Sequence, residues 1–114
     1  FDIGRAKLID MIRSAEVGSS NGVVMFDFGS AELRVWSRNE TGESSDDTSI
    51  SFDGKPYTSS FHAKYMCDTL NALESDQVRL FVSPDGDPLD QILVRPVTDK
   101  TDEGFDGIFM PCRL

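Results

Sequence analysis

The chain has 114 residues, 39% of them apolar and 27% charged, with a formal net charge of −9. That length supports one domain with a real core, and the balance excludes a disordered tail. No apolar run approaches the roughly 20 residues a bilayer span needs, and the negative charge excludes a surface that binds nucleic acid over its whole extent.

The opening Phe1-Asp2-Ile3 has no basic segment leading into an apolar stretch, so no secretory leader is expected. Lacking an initiator Met, the chain reads as a fragment of a longer protein. Residues 4–17 place Ala6, Leu8, Ile9, Ile12 and Ala15 close to the i, i+3, i+4, i+7 spacing of an amphipathic helix. Asp2 is the expected N-terminal cap and Gly18 the stop, while Lys7, Asp10, Arg13 and Ser14 fall on the opposite face. Val23–Phe28 and residues 33–36 read as strands joined by a turn at Gly29-Ser30.

Residues 39–47, rich in Ser, Thr, Gly and acids, read as a mobile hairpin loop. Its acids lack the regular spacing of a calcium loop. Residues 48–52 and 57–61 read as short strands around the Asp53-Gly54-Lys55-Pro56 turn. Residues 63–74 form a second amphipathic helix, with Met66, Cys67, Leu70 and Leu73 in one stripe. Strands follow at 78–83 and 92–97, then an acidic loop at 99–106 and a closing strand at 105–110.

Cys67 and Cys112 share no metal-ligand or redox spacing, and His62 is the sole histidine, so neither a metal nor a cofactor is expected. Both thiols read as small buried hydrophobes in a reducing compartment. The charge is uneven: residues 40–53 carry five acids and no base, whereas residues 4–17 carry Arg5, Lys7 and Arg13 against Asp10 and Glu16.

The pattern repeats. Asp10, Ile12 and Glu16 of the first helix find counterparts 58 residues later in Asp68, Leu70 and Glu74. Strand, helix, then several antiparallel strands recur twice. Two helices laid across mostly antiparallel sheets make an α+β fold.

The segment Phe61-His62-Ala63-Lys64-Tyr65-Met66-Cys67-Asp68-Thr69-Leu70-Asn71-Ala72-Leu73, the strand Val78-Arg79-Leu80 and the ending Met110-Pro111-Cys112-Arg113-Leu114 together resemble the C-terminal domain of the bacterial DNA sliding clamp, the beta subunit of DNA polymerase III. The resemblance covers residues 1–114 as a single clamp-type domain, the C-terminal third of a three-domain parent. It implies a DNA-clamp fold and a DNA polymerase processivity factor in the bacterial cytoplasm, with no catalysis, no cofactor and no membrane partner. Clamps of this family are head-to-tail homodimeric rings whose helices line the hole. They are opened and closed by a clamp loader, encircle double-stranded DNA without reading its bases, and tether the replicative polymerase subunit.

The resemblance also implies two sites. Arg5, Lys7, Arg13 and Lys64 are the candidate DNA-facing residues, loosely attracted to phosphates. A pocket for partner peptides with leucine and aromatic anchors is implied at His62, Tyr65, Ile108, Phe109, Met110, Pro111, Cys112, Arg113 and Leu114. Tyr65 offers a large apolar face with a polar tip, and Met110 an adaptable one. Neighbouring strand residues face opposite ways, so one of Phe109 and Met110 is expected in the core. His62 stands where relatives often carry a small polar amide, and Cys112 where some carry methionine.

An enzyme is disfavoured by composition. There is no nucleophile motif or phosphate-cradling loop, and the paired acids Asp46-Asp47 lie in an expected loop, a poor place for positioned acid–base chemistry. The alternative is a stand-alone clamp-like adaptor domain that binds proteins without encircling DNA.

Overall fold

The computed structural model describes residues 1–19, 21–39, 42–52, 54–97 and 107–112. Among them the order is β1 (Asp2–Gly4), α1 (Arg5–Val17), β2 (Val23–Phe28), β3 (Glu32–Asn39), β4 (Gly42–Ser49), β5 (Tyr57–His62), α2 (Ala63–Asn71), β6 (Gln77–Phe81), β7 (Ile92–Pro96) and β8 (Gly107–Phe109). This is the expected duplication: strand, helix and three strands, twice. Each half lends its first strand to the other. Sheet A runs β1-β6-β7-β8 and sheet B runs β4-β3-β2-β5, with every pairing antiparallel.

The exchange reaches into both helices. The first N–H of α1, at Arg5, donates to Asp76 O at 2.8 Å, and that of α2, at Ala63, donates to Gly22 O at 2.9 Å. Each helix therefore starts from the ladder its preceding strand makes with the opposite half. No side chain caps either N-terminus. The Asp2 cap expected for α1 is thus overturned: Asp2 lies in β1 opposite Arg79, whose guanidinium donates two hydrogen bonds to its carboxylate, at 2.7 and 3.1 Å.

In α1 the buried residues are Leu8, Ile9, Met11, Ile12 and Ala15. Ala6, expected inside, is exposed, because at 100° per residue it lies across the helix from that stripe, and Met11 takes its place. Position 5 falls within the apolar arc, which turns Arg5 inward. In α2 the expected stripe of Met66, Cys67, Leu70 and Leu73 is buried, although the helix ends at Asn71 rather than at 74. Helix α1 lies over β3 and β4, α2 lies over β8, and the two helices pack on each other.

The largest departure concerns residues 39–47. Instead of a loop, an eight-residue edge strand pairs with β3 from Glu32↔Ser49 to Asn39↔Gly42. An edge strand can be almost wholly polar, because its backbone ladder holds it and its neighbour supplies the apolar side chains, here Leu33 and Val35. Of the strand expected at 48–52, only Thr48 and Ser49 belong to the ladder. The expected acidic loop at 99–106 lies outside the described residues.

An aromatic seam joins the sheets. Phe61 of β5 meets Phe26 of β2 edge-on at 5.4 Å and Phe109 of β8 at 6.2 Å. All three are fully or almost fully buried.

The Arg79 guanidinium, chiefly by its hydrogen bonds, holds the Asp2 carboxyl below its ordinary value of 3.8. A depressed carboxyl stabilises the fold above its unfolded value and loses that contribution as pH falls through the folded one. Asp2→Asn is therefore expected to unfold at lower urea than the native chain at pH 7, with the gap closing below about pH 3.8. A gap that persists undiminished at pH 2 would remove this ion pair from the account of β1.

Candidate functional site

The described C-terminal residues run from sheet A onto sheet B. Within β8 the strand alternates: Gly107 and Phe109 face inward, while Ile108 and then Met110 face out. This settles which of Phe109 and Met110 is core: Phe109 is 2% exposed and Met110 65%. Pro111 has no N–H for a ladder. Cys112 then donates its N–H to Ser60 O at 2.7 Å, and Ser60 Oγ donates to Cys112 O at 3.2 Å, so the tail lies along the free edge of β5.

Helix α2 begins where β5 ends, which puts His62 and Tyr65 beside this tail. Their rings meet edge to face at 5.6 Å. A cleft of about 150 Å³ results, lined by Phe61, His62, Tyr65, Met66, Ile108, Phe109 and Met110. Its floor is the buried trio Phe61, Met66 and Phe109, and its rim the exposed His62, Tyr65, Ile108 and Met110. The recess thus combines an apolar floor and exposed apolar walls with a hydroxyl and an imidazole, the make-up of a site that buries an apolar ligand group.

Five of the residues implied by the resemblance are thus brought together: His62, Tyr65, Ile108, Phe109 and Met110. Pro111 and Cys112 are half-buried and do not line this cleft. Cys112 instead borders a second one, about 370 Å³, with Met25, Thr58, Ser59, Ser60, Pro88 and Leu89. Arg113 and Leu114 lie outside the described residues. Phe61 and Met66 were missed as floor residues. Phe61 opened the motif and Met66 sat in the helix stripe, but nothing in their spacing marks them as reachable from outside.

Burial pushes the Cys112 thiol up, against a lowering influence from the His62 N–H, and burial likewise raises Cys67 against the guanidinium of Arg13. Neither is poised as a thiolate.

The helices present a second surface. Lys7, Arg13 and Lys64 are exposed there, interspersed with the exposed acids Asp10 and Asp68. Arg5 is not among them. Its Nε donates to Ser75 O at 2.7 Å and its Nη1 to Leu70 O at 3.3 Å, so it serves the C-terminal end of α2, where a cation meets the negative end of the helix dipole. Among the described residues, no group of three His, Cys, Asp or Glu could hold a metal, and no helix is long and apolar enough to cross a membrane.

A family model described as DNA polymerase III beta subunit, C-terminal domain, matches residues 2–113. Among solved structures, the chain is similar to a DnaN sliding clamp (DNA polymerase III subunit beta) from Pseudomonas aeruginosa bound to griselimycin, with 21% identity and a TM-score of 0.84 over 99% of this chain and 30% of that one. A DNA polymerase sliding clamp from the same organism with ligand gives the same figures. The DNA polymerase III subunit beta from that organism gives 19% and 0.82, over 98% and 30%. The chain thus spans about 30% of the length of these structures, and identities this low establish the fold alone. No curated protein sequence matches.

The cleft depends on α2 lying directly against β8, and Gly107 permits it: a Cβ there would sit 2.3 Å from Thr69 Cγ2. Gly107→Ala is expected to cost about 1–3 kcal/mol by overpacking, measured by urea unfolding. Adding Thr69→Ser, which removes that methyl and keeps the hydroxyl, should recover most of the loss. No recovery would mean the strain lies elsewhere.

Proposed function

The chain belongs to the family of the DNA polymerase III beta subunit, as its C-terminal domain, and on that premise we propose that it is the last third of a three-domain subunit of a ring that encircles DNA and tethers a polymerase. The observation that carries this reading is the cleft at the tail: four exposed side chains rim a floor that belongs to the core. A partner gains apolar burial there without the domain having to rearrange.

The role needs no chemistry. A polymerase held to a ring by a short peptide stays at high effective concentration near the primer end and rebinds before it diffuses away. The ring must slide, so its inner surface should attract phosphates without holding any one of them. Lys7, Arg13 and Lys64, diluted by Asp10 and Asp68, meet that requirement, because a few dispersed cations give a weak, salt-screened attraction. The remainder of this acidic chain repels DNA from the outside. The partners on this reading are double-stranded DNA, a replicative polymerase subunit, a clamp loader and a second subunit completing the ring. The setting is the bacterial cytoplasm.

An isolated domain holds only one wall of the pocket, so weak binding is expected. In an amide NMR titration, a peptide of the Gln-Leu-x-Leu-Phe kind should bind at about millimolar affinity, worth roughly −4 kcal/mol. Shifts should be confined to His62, Tyr65 and residues 108–112, be absent with a Leu/Phe-to-Ala peptide and be weakened by Tyr65→Ala. Silence at saturating peptide would discard the cleft as the tether.

In the full-length parent, replacing Lys7, Arg13 and Lys64 by Ala should flatten the salt dependence of DNA binding, as each lost phosphate interaction lowers the slope by about one. Arg5→Ala should instead lower the unfolding temperature and leave that slope unchanged. The reverse pattern would move Arg5 back to the DNA face.

A further inference from the structure

β5 departs from strand alternation at Ser60. Its rungs with β2 place Ser59 opposite Phe26 and Phe61 opposite Val24, facing the core. Thr58, Ser60 and His62 stand opposite Asp27, Met25 and Val23, on the outer face of sheet B. Thr58 and His62 are exposed, as that face requires, yet Ser60 is only 6% exposed. The tail covers it. Cys112 N–H donates to Ser60 O at 2.7 Å, and Ser60 Oγ donates back to Cys112 O at 3.2 Å. The His62 backbone N–H donates to the Cys112 sulfur. On the other side, the β8 ladder ends at the rung between Phe109 and Ile92. Only Met110 and Pro111 bridge these two fixed points. The proline ring locks φ at position 111 and confines position 110 to extended backbone, so the bridge has little freedom while Cys112 is held.

We propose that Ser60 is a positioning residue for partner binding: its hydroxyl holds the tail on β5 and thereby sets Met110 on the rim of the cleft. The proposal rests on the cleft being the peptide site. Met110 is 65% exposed, so packing does little to place its side chain, and its position comes from the residues on either side. Phe109 is held by burial and by the ladder. Cys112 belongs to no strand and depends on the bonds just described, of which Ser60 supplies the one donated by a side chain. A segment held by so few bonds opens locally at small cost, and the apparent affinity of a site falls with the fraction of molecules in which it is formed. One hydrogen bond changes such an equilibrium about fivefold. The neighbouring Ser59 is the natural comparison. It is buried too, at 3% exposed, and its Oγ donates to Pro88 O at 2.6 Å. It faces inward, however, and holds the connection between β6 and β7, not the tail.

The test compares Ser60→Ala and Ser59→Ala with the native chain by NMR, using the Gln-Leu-x-Leu-Phe peptide. Ser60→Ala removes only an oxygen and leaves the backbone ladder between β5 and β2 in place, so the fold is expected to persist. It should move the Met110 methyl signal toward its random-coil position and speed exchange of the Cys112 amide about fivefold. The initial slope of the peptide titration should fall about two- to fivefold. Ser59→Ala should lower the urea midpoint to a similar degree but keep the native methyl signal, amide exchange and slope. An unchanged slope in Ser60→Ala, a loss without movement of the Met110 methyl, or an equal loss in Ser59→Ala overturns the positioning role and leaves the cleft standing. A native chain that gives no titration overturns the cleft reading, and the positioning role with it.

Discussion

The exchange of first strands between the two halves of the chain governs everything else in this fold. β1 pairs with β6 and β5 with β2, so neither sheet is complete until both halves are present. The pairing continues past the strands into the helices, whose first N–H groups are taken up by Asp76 O and Gly22 O. Helices that lack side-chain caps are thereby oriented by the sheets themselves. Both start at a ladder and lie side by side, and their outward faces form one surface. Buried backbone donors must find acceptors, and here that requirement also fixes the geometry of the surface the two helices share.

The cleft is a consequence of where the chain goes after β8. Three residues of strand and Met110 are followed by a proline that cannot extend the ladder, and Cys112 is then caught on the free edge of β5. That crossing leaves a gap beside the start of α2 instead of filling it. Gly107 keeps α2 close enough to β8 for the gap to be narrow, and the Phe61–Phe109 contact gives it a rigid bottom. A rigid, largely pre-formed apolar recess reduces the ordering cost that a short peptide would otherwise meet on binding.

Charge is carried by a strand edge and a helix face as well as by the connections. β4, with Asp46 and Asp47, is an acidic edge of sheet B, and the crowding of Asp47 against Glu32 on the adjoining strand pushes the Glu32 carboxyl up. Such an edge discourages unspecific strand pairing. The helix face alternates in sign, and one of its four cations is turned inward to hold the end of α2. The role proposed above would use this division, with weak attraction for DNA on the helix face and repulsion elsewhere.

Periodicity alone was enough to find both helices, β2, the duplicated order of elements and the α+β class, because apolar side chains recur at 3.6 or 2 wherever one face is buried. The motif at residues 61–73 and the tail likewise sufficed to name His62, Tyr65, Ile108, Phe109 and Met110 as neighbours. What periodicity misses is set by partners distant along the chain. β4 carries no apolar alternation, because β3 holds it through the backbone; Asp2 resembles a helix cap until Arg79, 77 residues away, is placed opposite it. Arg5 looks like another exposed cation until the end of α2 arrives beside it. Composition and spacing record which face of an element is buried, and so determined the fold class; the family resemblance, not spacing, named five of the cleft residues. Only the tertiary structure decided which of those residues are floor, rim or neither, because that depends on how two sheets and a helix meet, a relation between segments that no local pattern encodes.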